Sequence, residues 1–465
     1  MFSLVILPKI TRVLGPKGVG RVSFADSTTQ YFIIFASLGI PVYGVREVAR
    51  YKADKKILSG LFSELLAVLL LATVVLSIIY LILIYLIGDF RTDKDLFYLG
   101  VVQLIFSSFI FDWFYQGLEN FKYIALRTFF IRLLATIIVV VVVKKSTDVF
   151  LYYGILTVTV IGNSILNIFF ISKFVDFSFK DLSIVRHLKP IFTFFSTRFV
   201  NSVYVILLTV VLGFVASKES VAYFSSSYRI YMVILAFVVA FSSVLIPRLS
   251  EYVFLNKHQE GIALISKSLA MIFSCGIPIV VAVFFFSKGI VLLLFGSKFL
   301  PARADLELLS PLILVISVSN IFAMNVLTPR GKEGQFLKAT IAGMIVSIIL
   351  MFVLLPTLSD KGAAITLLAT ECIVCLFLGY YSYQHLTDLK LNVKLIFLNL
   401  LNAVVVFGLA NRLMHFIDLP FIYQFLISAA LALVVYLVLQ IVVVNDPFAV
   451  RLFQKARSLA VRKSI

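Results

Sequence analysis

Charge is what this chain has least of: 14% of its 465 residues are Asp, Glu, Lys or Arg, while 61% are hydrophobic. A soluble domain carries about a quarter charged residues, so a chain this apolar cannot hide its surface from water by folding on itself. Cysteine is nearly absent. Cys372 and Cys375 form a Cys-x-x-Cys pair on one helix face, but with Cys275 as the third and last thiol no second pair completes a zinc site. Four scattered histidines add no metal cluster, so no metal or other cofactor is expected. No Pro/Gly/Ser linker, low-complexity tract or long hydrophilic insertion occurs either. That leaves no room for an extramembrane catalytic domain, and the chain is not expected to be an enzyme. The amino end has no basic region followed by a clean apolar run and a small-residue cleavage site, which argues against a secretory signal.

What is present is a series of long uncharged runs with a mean hydropathy of +1.07. One of them, from Leu65 to Gly88, has 24 residues, which as a helix at ~1.5 Å per residue crosses a bilayer with some tilt. The runs lack the alternating polar lining of a membrane barrel, so each is read as a helix satisfying its own backbone hydrogen bonds. Spans are expected near residues 22–45, 61–88, 96–117, 121–143, 149–172, 190–216, 221–247, 262–287, 305–328, 336–358, 362–385, 394–411 and 419–444, after a partial first span. Only eleven residues precede Arg12, so that first segment is expected to be a truncated helix ending within the membrane thickness.

The net charge of +18 raises the question of nucleic acid, and the position of the charges answers it. Alternate connections, beginning with residues 46–60 and ending with the carboxy-terminal tail, hold 24 Lys and Arg, while the opposite connections hold 13. The positive-inside rule makes the richer side, and with it the tail, cytoplasmic. Topology and anionic headgroups account for the basic excess, and no nucleic-acid partner is needed.

A weak internal echo spaced by about 200 residues pairs Val19–Asp26 with Val221–Tyr228. Each opens a span that ends in Ile-Pro, at Ile40-Pro41 and Ile246-Pro247, followed by Arg46 and Arg248. Both copies have the same expected orientation, which implies repeats related by an axis along the membrane normal. Two halves of six spans, residues 1–189 and 190–385, are expected, then two further helices within 386–444 and a basic tail at 445–465.

Ionisable groups inside spans are costly and mark cavities or partners. By this reasoning Arg12, Arg21, Arg132, Arg198 and Arg229 are candidate headgroup ligands, because the guanidinium fork gives a diphosphate two parallel charge-assisted bonds. Asp26, Asp112 and Glu371 are the candidate coupling or ion-pair carboxylates. Snorkelling to the interface is the competing reading for the arginines near span ends, Arg127 and Arg132 among them. Asp112 has a simpler role open to it as partner of one of these arginines.

LGPKGVGRVSFADS from Leu14, ASLGIPVYGVREVAR from Ala36 and FDWFYQGLENFKYIALRT from Phe111 resemble signatures of the polysaccharide-flippase (Wzx, O-antigen transporter) family. That family lies within the exporter superfamily that also holds multidrug extruders and lipid II flippases. Lys189-Pro190, Ser225–Arg229 and Pro247–Ser250 extend the resemblance into the second half. It implies an all-α integral membrane protein of about 13–14 helices, in two six-helix halves forming a V, plus two carboxy-terminal helices. It further implies translocation of undecaprenyl-pyrophosphate-linked oligosaccharide across the inner (cytoplasmic) membrane, for O-antigen, capsule or exopolysaccharide synthesis. The implied partners are that glycan, membrane lipids, and polysaccharide polymerase and chain-length proteins. Two departures stand out: most of the family's first helix is missing before Arg12, and Leu208 and Thr209 stand where many members carry an acid.

Three alternatives differ in class. A cation-coupled drug or metabolite exporter predicts a carboxylate-dominated cavity, whereas the intramembrane charges here are mainly arginine. A membrane polysaccharide polymerase requires a sizeable outer loop, and no connection is long enough. A lipid II flippase differs only in the headgroup.

Overall fold

The computed structural model of the protein describes residues 2–177, 182–389, 391–416, 418–450 and 454, and among them it contains helices and no strand. The helices are α1 (Phe2–Ser37), α2 (Ile40–Tyr51), α3 (Lys55–Leu86), α4 (Gly88–Thr92), α5 (Lys94–Ser107), α6 (Asp112–Gly117), α7 (Phe121–Val142), α8 (Val149–Ile171), α9 (Val185–Ser202), α10 (Leu208–Val215), α11 (Lys218–Phe254), α12 (His258–Leu294), α13 (Ala302–Leu309), α14 (Leu312–Asn320), α15 (Glu333–Tyr383), α16 (Val393–Leu413) and α17 (Phe421–Val442). Among the described residues nine helices have the length and apolarity of a membrane span, ten if one bent pair counts as a single crossing. The protein is therefore an all-α multi-pass membrane protein. Leu71, Val74, Val75 and Ile78 on α3 and Leu431, Val434 and Val438 on α17 are exposed. In water such faces are a liability, whereas in acyl chains they are solvated.

Three breaks shape the spans. Gly15 has φ 67° inside α1, so the leading segment and the helix that follows Pro16 are separate rods. At the other end of α1, Leu38 takes a left-handed φ of 47° and Pro41 opens α2, with a bend of 42°. The span expected at 22–45 is thus a helix ending at Ser37 plus a second rod. In α15, 51 residues at ~1.5 Å each amount to more than twice a ~30 Å hydrocarbon core. Ser359, with φ 51° and ψ −125°, folds it back into two spans. Gly362 permits that hairpin because a Cβ there would stand 2.4 Å from the Leu354 carbonyl oxygen.

The chain divides into two compact units, Met1–Ala222 and Tyr223–Ile465. In the first, Phe62 on α3 sits among Phe111, Trp113 and Phe114, with ring centroids 4.9, 5.8 and 5.2 Å away. Helices α9 and α10, which the sequence reading assigned to the second half, pack on α1 within this first unit. Phe214, for example, meets Phe24 edge-on at 5.1 Å, and the Lys218 ammonium lies 3.9 Å from the Phe24 ring centre. In the second unit α16 and α17 close on α12 through Phe286, Phe407, Phe425 and Tyr436.

Candidate functional site

On α1, Arg21 directs both Nε and Nη2 at Oδ1 of Asp93, at 2.7 and 2.6 Å. Asp93 is buried and Arg21 about one-third exposed, so the guanidinium keeps an open edge. Arg12 is exposed and lies before the Gly15 break, while Asp26 is half-buried. One turn beyond Asp26, Thr29 Oγ1 lies 2.9 Å from Tyr80 OH and accepts from Tyr153 OH at 3.2 Å, joining three helices through buried hydroxyls. Arg132 on α7 is exposed and has no ion pair among the described residues.

Asp112 and Arg127 form a second centre. Arg127 donates to Asp112 Oδ1 at 2.7 Å and, through Nη1, to Asn167 Oδ1. Its side chain is only 3% exposed. Tyr123 OH donates to Asn167 Oδ1 at 3.3 Å and to the Leu166 carbonyl, and its ring stacks on Phe170 at 3.9 Å. Tyr115 OH donates to the Asn167 carbonyl. The short helix α6 thereby presents Asp112 to α7 and α8. Arg127 is neither snorkelling nor open to a ligand, because it is the buried member of an ion pair.

In the second unit, Arg229 on α11 is half-buried and has no ion pair among the described residues. Glu371, near the middle of the second span of α15, is 7% exposed and has no hydrogen bond or ion pair among the described residues. The Arg198 side chain lies outside the described residues. Of the aromatic residues near these groups, Trp113 is buried against Phe62, and Tyr43 OH is 2.7 Å from His187 Nδ1.

Sequence reasoning missed two groups. The first is Glu64, buried on α3, which accepts from Arg186 at 2.5 Å and from the Ser183 amide at 2.9 Å, with His187 Nε2 at 2.7 Å. A carboxylate lying inside an expected span was the available signal. The second is Asp305 on α13, fully buried, with the carboxyl of Asp360 as its charged neighbour. No group of three His, Cys, Asp or Glu side chains able to hold a metal occurs among the described residues.

Residues 1–253, more than half of the chain, match the family model described as "Polysaccharide biosynthesis protein". The chain belongs to that family. Within curated proteins it is 25% identical over 384 residues to the "Putative O-antigen transporter" of Escherichia coli (strain K12), covering 80% of this chain and 91% of that one. Among solved structures the chain is similar to "Lipid II flippase MurJ, inward closed conformation", at 17% identity and a TM-score of 0.69 over 96% of this chain and 100% of that one. It is also similar to an inward-facing multidrug resistance MATE family transporter of the MOP superfamily, at 15% identity and a TM-score of 0.64 over 84% of this chain and 96% of that one. At these identities the two structures establish a shared fold.

Proposed function

We propose that this protein is a flippase that carries undecaprenyl-pyrophosphate-linked oligosaccharide repeat units across the cytoplasmic membrane for surface polysaccharide synthesis. Membership of the polysaccharide biosynthesis family carries the reading, with a relative named as an O-antigen transporter aligned over nearly its whole length. The all-helical body and the arginines supply the chemistry such transport needs. A pyrophosphate in a membrane requires cations that stay charged, and guanidinium groups do so. In this reading Arg12, Arg21, Arg132, Arg198 and Arg229 attract the headgroup, with Arg229 supplying a charge not committed to a carboxylate and Arg21 tethered by Asp93. The isoprenoid tail stays in the bilayer, and rocking of the two halves alternates access. Basic connections face the cytoplasm, as does the tail, and polymerase and chain-length proteins act on the delivered repeat unit.

Asp26, Asp112 and Glu371 are the coupling candidates, and they differ in standing. Asp112 is committed to Arg127, whereas Glu371 is buried without a hydrogen bond among the described residues and so requires a proton or a cation. In cells, Arg229→Ala at normal abundance is expected to leave lipid-linked repeat units on the cytoplasmic leaflet with surface polysaccharide lost. Normal surface polysaccharide would remove Arg229 from the mechanism.

A further inference from the structure

The two units carry clefts at matching places in the chain, and the clefts differ in how their cations are neutralised. In the first unit a cleft of about 780 Å³ lies between α2 and α3 and is lined by Tyr51, Lys56, Gly60, Arg186 and His187, among others. In the second unit a smaller cleft of about 190 Å³ lies between the end of α11 and the start of α12, lined by Tyr252, Lys257, His258, Gly261, Ile265 and Arg330, among others. Tyr51, Lys56 and Gly60 have the same spacing as Tyr252, Lys257 and Gly261, in keeping with the internal echo of about 200 residues.

At the same spacing Glu64 falls on Ile265. In the first unit Glu64 is the buried carboxylate that Arg186 and His187 hold. The second unit has Ile265 there, 1% exposed, and no carboxylate on Lys257 or Arg330 among the described residues. Its cations still crowd. Lys332 Nζ donates to His385 Nε2 at 2.9 Å, and His258 lies 3.9 Å from Asp388. Burial first, then Lys332, Arg330 and His258, hold the His385 imidazole below its usual pKa. Lys257, preceding α12, offers no side-chain acceptor to the first-turn amides. The first cleft thus has Glu47 in its wall and Glu64 behind Arg186 and His187, whereas no carboxylate is among the described residues lining the second, which leaves its cations for an anion from outside.

We propose that the cleft formed by Lys257, His258 and Arg330 binds the phosphate of an anionic phospholipid headgroup from the surrounding leaflet. Its size admits a headgroup phosphate together with several waters. Leu249 and Val253 give it an apolar wall, suited to a ligand whose other end is acyl chain. The site lies on the end of the repeat that the arginine and lysine count assigns to the cytoplasm, and it is separate from the arginines proposed to take the oligosaccharide pyrophosphate.

The test uses the full-length protein in nanodiscs, released into native mass spectrometry, with phosphatidylglycerol or phosphatidylethanolamine as the probe lipid. Wild type is expected to retain one phosphatidylglycerol and to discriminate against the zwitterionic lipid. Lys257→Gln with Arg330→Gln is expected to weaken retention about 30-fold, at roughly a factor of five per basic group near an anionic surface. Ile265→Glu, which restores the carboxylate of the first unit, is expected to abolish retention while melting no lower than Ile265→Gln. Retention unchanged in the double variant would overturn the proposal. Displacement of the lipid by millimolar inorganic phosphate would overturn the leaflet as the source.

Discussion

Arg127→Ala is the sharpest test of the packing. The side chain is 3% exposed and donates to Asp112 and Asn167, so its loss strands Asp112 without its cation and Asn167 without its charged donor. Breaking a fully buried pair costs ~3–5 kcal/mol, and because Asp112 is about one-third exposed the lower end applies. For a unit of this size each kcal/mol moves the midpoint by about 2–4 °C, so a fall of roughly 6–12 °C is expected. Thermal denaturation of the detergent-purified protein, followed by gel filtration of the soluble fraction, reads it directly. Asp112→Asn combined with Arg127→Ala should lose less than the two single losses added, since the second change removes a partner already stranded. A midpoint within about 2 °C of wild type would refute the claim that this pair holds α6 to α7 and α8.

Three further outcomes follow from geometry. Gly362→Val places a Cβ against the Leu354 carbonyl and should abolish folded yield, whereas Ser359→Gly relieves a positive φ and should hold or raise the midpoint, both read by the same melt. Burial would raise the Asp446 pKa, but bonds from Ser274, the Phe448 amide, Asn399 and Gln440 outweigh it and hold the carboxyl below its usual value. A lowered folded pKa gives stability that is complete above the unfolded value of about 4 and is lost as pH falls through the folded one, so acid melts should show a component that Asp446→Asn lacks. A reporter joined after Ile465 should be active only in the cytoplasm, as the 24 to 13 basic split requires.

Hydropathy made most spans legible, including the pair that meets at Ser359, because transfer energy depends on residue type alone. Ile40-Pro41 marked the neighbourhood of a break, but hydropathy could not place the turn at Leu38, since largely apolar residues run on from Ile33 to Val42 whichever way the backbone turns. Partners were legible only where they lie close in sequence. Asp112 and Arg127 are 15 residues apart, and their pairing was one of the readings left open. Glu64 and His187 are 123 apart, joined by a chain path that no local pattern encodes. Asp305 and Glu371 are similar cases, for the burial of a carboxyl is a property of packing and not of the segment. The π-helical turns at Val203–Leu207 and Ile321–Leu327, which interrupt two spans, left no mark in the periodicity.

The central claim is transport of a lipid-linked glycan, and reconstitution tests it most directly. Purified protein in vesicles carrying undecaprenyl-pyrophosphate oligosaccharide in both leaflets is exposed to a membrane-impermeant glycosidase. With wild type the protected inner pool should be drawn out and cleaved, and with Arg229→Ala it should stay protected at the level of protein-free vesicles. An inner pool equally protected with wild-type protein and without it, under an imposed ion gradient of either sign, would contradict the account.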